Sequence, residues 1–395
     1  MMAIFDILIY VFFAFFASYL AKKSYEYIES NDVNPVCWDK YLWQFIAFFT
    51  IIGGLRWNTG SDSISYAMIF DHSGIEPSDN EILWKSIVRG IRALNLHWMF
   101  GLALFAFIQI YFITDTLKPY RNLLIFLPFV FFGGRYWMDT MGAVRQMTVA
   151  CAFLWASKFI VDRKPLYYIV FIIIGSMIHQ SALILAPFYF LPNKLQIENK
   201  RWLLLIILIC CVAIGNTPAF QGMTEYVQWI ARATNYDYQI DALTELMTSG
   251  QTDEALSFGP MMLSYLIIPI FIIWYGPKLK EEYGEKIPYF NLWYNLAYIY
   301  ACGYFLVCNI GHYFIRPMMY FSLFQMVMAT ILLHYLWTQF KEYGVGKLAC
   351  YLFCAVIFTN TAWDVYKATN SGRILECSTY KISFFHGDQK KRFNL

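Results

Sequence analysis

Long apolar runs recur from one end of this chain to the other, and they constrain its fold more than any motif does. A bilayer core about 30 Å thick is crossed by about 20 mostly apolar residues in a helix. The runs predict about twelve transmembrane helices, near residues 3–21, 41–55, 98–115, 122–134, 143–160, 166–178, 181–192, 202–218, 260–276, 289–308, 317–337 and 347–363. Two places are less regular. Segment 122–134 is short and ends in Gly133-Gly134. The pair 166–178 and 181–192 is interrupted at Ile178-His179-Gln180-Ser181, which fits either two short helices meeting at the outer face or one helix with a re-entrant piece. The first run has no basic segment before it and is followed by Lys22-Lys23, so it reads as a retained helix and not as a cleaved leader. Composition agrees: 59% of residues are hydrophobic and 14% are charged, against roughly 25% charged in soluble domains. The expected fold class is an all-α polytopic integral membrane protein, a single transmembrane domain over 1–395. Its long outer loops fall at 56–97 and 219–259, and its C-terminal tail at 364–395.

Orientation follows from Lys and Arg, which gather in cytoplasmic loops. One set of loops carries sixteen of them and the opposite set eight. The richer set is expected in the cytoplasm, which puts both termini outside. The tail adds six basic residues to the outer side, but short loops set the orientation and this tail is long. Seven of the eight outer charges are Arg, Lys85 being the exception. The planar guanidinium binds phosphate or carboxylate through two parallel hydrogen bonds, so the outer face looks chosen for an anion. The cytoplasmic loops are short and hold no Gly-rich phosphate loop, so use of ATP or a nucleotide sugar is not expected. A net charge of +3 is too small to suggest nucleic-acid binding. The nine Cys show no CxxC spacing and no HExxH occurs, so no metal or other cofactor is expected.

Four polar islands interrupt the apolar pattern, all on the outer side. The densest runs from Gly53 to Ser73 and carries Arg56, Gly60, Asp62 and Tyr66. Asn58-Thr59-Gly60 supports a tight turn with positive φ. Ser61 or Asp62 can cap a helix whose face carries Asp62 and Tyr66 one turn apart. Arg and a carboxylate at a membrane boundary suit an anionic lipid headgroup and a base; a snorkelling anchor and a helix cap are the plainer alternative. The second island, Gly133 to Met147, holds Arg135, Asp139, Arg145 and Gln146. An ionisable group at the start of an apolar helix, as Arg145 is, points to function, while Arg135 and Asp139 also suit a simple ion pair. In the third, His179 is able to take a proton near neutral pH, or to be satisfied by a backbone carbonyl. The fourth, Gly311 to Phe321, places His312 one turn before Arg316, which precedes Pro317 at a helix start; an interfacial anchor is again the alternative.

In this order the islands resemble the EpsG/Wzy type of bacterial polysaccharide polymerases. That family's box of Arg, an aromatic, Gly, Asp and Tyr after the second helix reads RWNTGSDSISY here, with Arg56, Trp57, Gly60, Asp62 and Tyr66 in place. Val144-Arg145-Gln146, His179-Gln180-Ser181 and Arg316 with Tyr320-Phe321 match its later elements. Trp57 stands where Tyr is commoner, and Gly133-Gly134-Arg135 has no counterpart. The resemblance implies glycosyl transfer on the outer face of the bacterial inner membrane. A polymer on undecaprenyl diphosphate is passed to a repeat unit on a second such lipid. It further implies that Arg56, Arg145 and Arg316 bind diphosphate, that Asp62 or His179 is the base, and that Gly60, Tyr66, Gln146 and His312 support the site or meet sugar; Arg135, outside the matched elements, is a further candidate cation for the diphosphate on the same outer face. Expected partners are the lipid-linked oligosaccharide, membrane lipid, and a flippase and chain-length regulator of the same pathway. A lipid-linked oligosaccharide flippase, or another envelope glycosyl- or acyltransferase, is the competing reading. A transporter would line its centre with charge, whereas most of these spans are free of charge through their middles.

Overall fold

The computed structural model describes residues 2–71, 81–192, 195–217, 260–309, 312–339, 345–370 and 379–382. The expected outer loop at 219–259 lies outside them. Helices α1 (Met2–Asn31), α2 (Lys40–Leu55), α3 (Ser63–Phe70), α4 (Ile82–Ala93) and α5 (Trp98–Leu117) come first. The short α6 (Arg121–Leu124), α7 (Leu127–Gly133) and α8 (Tyr136–Gly142) lead into α9 (Val144–Val161) and α10 (Pro165–Ile178). After a 3-10 helix, Gln180–Phe190, come α11 (Arg201–Gly215), α12 (Pro260–Tyr283), α13 (Phe290–Val307), α14 (His312–Gln339) and α15 (Val345–Asn370).

Every apolar run is helical, yet six helices among the described residues are long and apolar enough to cross a membrane. The all-α membrane class expected from the sequence is thus present, as a mixture of long and short apolar helices, and twelve separate spans are not shown by it. Segment 122–134 is not one helix: it breaks between α6 and α7, with Pro128 in the first turn of α7. Segment 181–192 forms a 3-10 helix with Pro187 inside it. Proline has no N–H to give and crowds the preceding turn, which disfavours an α-helix there. At 14 residues, α10 spans about 21 Å, short of the hydrocarbon core. It folds back on the 3-10 helix, where the Tyr168 hydroxyl donates to the Leu185 carbonyl at 2.8 Å. At the base of this hairpin Arg163 donates to the carbonyls of Tyr189 and Leu191, each at 3.0 Å.

At the centre stands α14; 94% of its most apolar stretch is buried, against 33% for α15. Helix α1 marks the two ends of the bundle. Near its start the charge of Lys381 acts on Asp6. Eighteen residues on, about 27 Å along the axis, the Ser24 hydroxyl donates to Asp39 at 2.7 Å. Asp39 also caps α2, accepting from the Tyr41 amide at 2.7 Å and the Leu42 amide at 3.1 Å, and pairs with buried Arg121. This network is expected to hold together the end remote from Arg56.

At the other end the all-α expectation has one exception among the described residues. Arg56–Trp57 forms a strand, β1, antiparallel to β2, Lys381–Ile382. The Thr59 hydroxyl donates to the Thr379 carbonyl at 3.0 Å, and the Tyr380 hydroxyl to the Ile52 carbonyl at 2.9 Å. Residues 379–382 of the tail thus lie on the same end as Arg56. Within the expected outer loop 56–97, α3 and α4 pack their apolar sides inward: Tyr66, Phe70, Trp84, Val88 and Ile91 form a small core with Trp57 and Trp98.

Candidate functional site

The RWNTGSD box folds into a turn pressed against a second turn. Arg56 is 1% exposed, and its guanidinium donates to the carbonyls of Gly53, of Thr59 at 3.2 Å and of Met141 at 3.2 Å. The side chain expected to meet diphosphate is thus engaged by backbone carbonyls and joins the box to the end of α8. Gly60 explains the partnership. Its φ is +95°, and an added Cβ would lie 2.5 Å from the Gly142 nitrogen, far inside van der Waals contact. Only glycine lets the two turns meet, and Arg145 begins three residues after that contact.

Arg145 opens into a cluster that the sequence did not announce. It pairs with Glu81, the residue before α4. The other Glu81 oxygen lies 2.9 Å from His179 Nδ1 and 3.3 Å from the Gln180 amide that donates to it. The Glu81 side chain is 6% exposed, while Arg145 at 27% and His179 at 22% remain accessible. Burial pushes the Glu81 carboxyl up, but the bond to His179, the charge of Arg145 and the Gln180 amide outweigh it and hold the group below the ordinary carboxylate value. A carboxylate facing Nδ1 fixes the tautomer that carries hydrogen there and leaves the Nε2 lone pair available.

Around this core the other expected residues divide. Tyr66, expected to stack on sugar, is buried instead. Its ring meets Trp84 edge-on at 5.6 Å, and its hydroxyl receives a long contact from Arg145 Nε at 3.5 Å. The Arg145 guanidinium lies over the rings of Trp84, at 5.4 Å, and Tyr66, at 5.9 Å. Gln146 donates to the Arg316 carbonyl and so ties α9 to α14. Asp62 occupies the position before α3 without capping it; its carboxylate lies 3.8 Å from Arg316, both side chains being well exposed. Beside His179, the Ser181 and Tyr320 hydroxyls are bonded at 2.7 Å. His312 begins α14, but its side chain lies outside the described residues.

Arg135 stands apart from these groups. Its backbone is left-handed, φ +74°, and its guanidinium reaches Asp364 at 3.0 Å, the Tyr265 hydroxyl at 3.1 Å and Asp139 at 4.0 Å. The structure thus brings together Asp62, Arg145, Gln146, His179 and Arg316, and puts Arg135 in a separate lobe. Glu81 and Asp364 are the residues that sequence reasoning missed. One signal for Glu81 was present: the apolar residues Trp84, Val88 and Ile91 recur at helical spacing just after it, which marks a helix start inside a stretch read as loop. Among the described residues no three His, Cys, Asp or Glu side chains converge as a metal site needs.

Apolar helices with accessible, paired charges gathered at one end define the class, an all-α membrane protein with a polar site at the mouth of its bundle. Residues 40–379 match the model of the EpsG family, and the chain belongs to that family, which comprises Wzy-type polysaccharide polymerases. No curated protein and no solved structure matches it.

Proposed function

We propose that this protein polymerises lipid-linked saccharide repeat units at the outer face of the bacterial inner membrane. It moves the growing chain from undecaprenyl diphosphate to an incoming unit on a second lipid. The observation that carries this reading is the Glu81–His179 pair set beside accessible Arg145. A hydroxyl of the acceptor sugar attacks the anomeric carbon of the donor. The new C–O bond forms as the bond to the lipid diphosphate breaks, the hydroxyl proton passes to His179 Nε2, and the diphosphate leaves as an anion. Arg145 and Arg316 offset the charge that develops on the leaving group, the usual office of fixed cations in such a transition state.

Between the two expected bases, the arrangement favours His179. A carboxylate behind its imidazole stabilises the cation formed on proton uptake, whereas the Asp62 carboxylate faces the Arg316 guanidinium at 3.8 Å and is better suited to aiming it. The test uses purified full-length protein and lipid-linked saccharide extracted from producing cells that carry His179→Ala. A ladder of products from wild type, lost in His179→Ala and Arg145→Gln with both variants eluting as folded protein, is the expected result. Wild type that makes no ladder yet moves the same lipid across a vesicle bilayer would replace the polymerase by a flippase.

A further inference from the structure

A polymerase of this kind handles two lipid-linked saccharides at once, and the Arg145 cluster accounts for one reacting centre. The lobe around Arg135 has a different chemistry. Arg135 lies between two carboxylates, Asp364 at 3.0 Å and Asp139 at 4.0 Å, so its charge is already matched and exceeded. That composition disfavours a diphosphate. Tyrosines surround it: the Tyr265 hydroxyl accepts from Arg135 at 3.1 Å, and the rings of Tyr265 and Tyr304 lie 5.7 Å apart, as do those of Tyr304 and Tyr300. These three come from α12 and α13, and none is fully buried. The Arg135 side chain is 36% exposed and that of Asp139 25%, so a ligand can reach both.

A simple structural ion pair requires neither the second carboxylate nor the tyrosine row. Burial and Asp364 oppose ionisation of Asp139, which Arg135 only partly offsets, and its carboxyl is pushed up to about 6. The lobe also adjoins the reacting centre. Asp139 precedes Arg145 by six residues across the α8–α9 junction. The Tyr136 hydroxyl donates to Gln325 at 3.2 Å on α14, the helix that carries Arg316 and Tyr320.

We infer that Arg135, Asp139, Asp364 and the tyrosines Tyr265, Tyr300 and Tyr304 form a saccharide subsite that takes uncharged, hydroxyl-bearing sugar rings of one substrate and discriminates against anionic sugars. Carboxylates accept from ring hydroxyls, the guanidinium donates to ring and hydroxyl oxygens, and phenol faces cover the apolar C–H side of a pyranose. The reading of the lobe as part of a two-substrate site rests on the polymerase proposal, but its ligand chemistry is testable separately.

Saturation-transfer NMR on the detergent-solubilised full-length protein would use methyl glycosides of glucose, galactose and N-acetylglucosamine, with methyl glucuronide as the anionic probe and pyrophosphate as the phosphate probe. Expected is transfer to at least one neutral glycoside, lost in Asp139→Asn and weakened at least fivefold in Tyr265→Phe, with none to the glucuronide. Pyrophosphate binding should persist in both variants and fail in Arg145→Gln. If Asp139→Asn disturbs folding, Tyr265→Phe, which removes one hydroxyl, decides. In the polymerisation assay Tyr265→Phe should raise KM at least fivefold with kcat within twofold. Absence of glycoside transfer, an unchanged KM, or pyrophosphate binding that depends on Arg135 would each overturn the subsite. A missing wild-type ladder with intact glycoside binding would overturn the polymerase and leave the subsite standing.

Discussion

Replacing Glu81 by Gln tests the centre of the proposed mechanism. The substitution keeps the size of the side chain and removes its charge. Glu81 Oε1 lies 2.9 Å from His179 Nδ1. At that distance, and with an effective dielectric constant of 20, the attraction between a carboxylate and an imidazolium is at most about 6 kcal/mol. His179 is partly open to solvent and Arg145 shares the carboxylate, so the relevant magnitude is that of one charge-assisted hydrogen bond, about 1.5–3 kcal/mol. This interaction strengthens as the imidazole takes the proton. Its loss therefore falls on the barrier, and kcat should drop about 10- to 150-fold. Arg145 loses its counterion but keeps Tyr66 and Trp84, so KM should move about threefold or less if uniform binding is retained. The assay is initial-rate polymerisation on extracted lipid-linked saccharide, with melting in detergent as the fold control. Glu81→Gln with wild-type kcat, or His179→Ala with more than a tenth of it, would refute the proposed orientation of the base.

Other outcomes follow from the packing. Gly60→Ala combines a positive φ with a clash against the Met141–Gly142 backbone; it should destabilise by more than about 1–2 kcal/mol and abolish activity, read by melting and the ladder assay. Asp39→Ala strands buried Arg121 at the remote end and should cost about 3–5 kcal/mol in denaturant titration, with KM unchanged in the folded fraction. Asp139 has its carboxyl raised from 3.8 to about 6. Between those values the folded protein holds the proton more tightly than the unfolded chain, so this group makes stability fall as pH rises through about 4 to 6. Melting temperatures across that range should show Asp139→Asn relieved of that decline.

The sequence shows the helices far better than it shows the site. Apolar runs announce themselves because lipid-spanning helices need length and composition alone, and all of those described are helical. The breaks at 125–126 and along 180–190 were less legible, since a proline such as Pro187 signals disruption without saying which irregular form replaces the α-helix. Residue identity marked Arg145, His179 and Arg316 as interesting, but their partners are set by tertiary approach. Glu81 meets His179 across 98 residues, and Asp364 meets Arg135 across 229, and no local pattern encodes either meeting. Arg56 shows the converse: the motif's most conspicuous charge donates to three carbonyls and joins two turns, a use its identity does not announce.

The pairing of β1 with β2 bears on when the protein becomes competent. Translation proceeds from the N-terminus, so residues 379–382 appear after all the described helices. They nevertheless complete the box that sits beneath Arg145, through the ladder to Arg56–Trp57 and the bonds from Thr59 and Tyr380. A nascent chain that has inserted its helices but not yet delivered this segment holds the charged groups without their final support. The support of this mouth therefore waits for residues 379–382, and a chain cut short before residue 379 would be a membrane-inserted protein with an unfinished mouth.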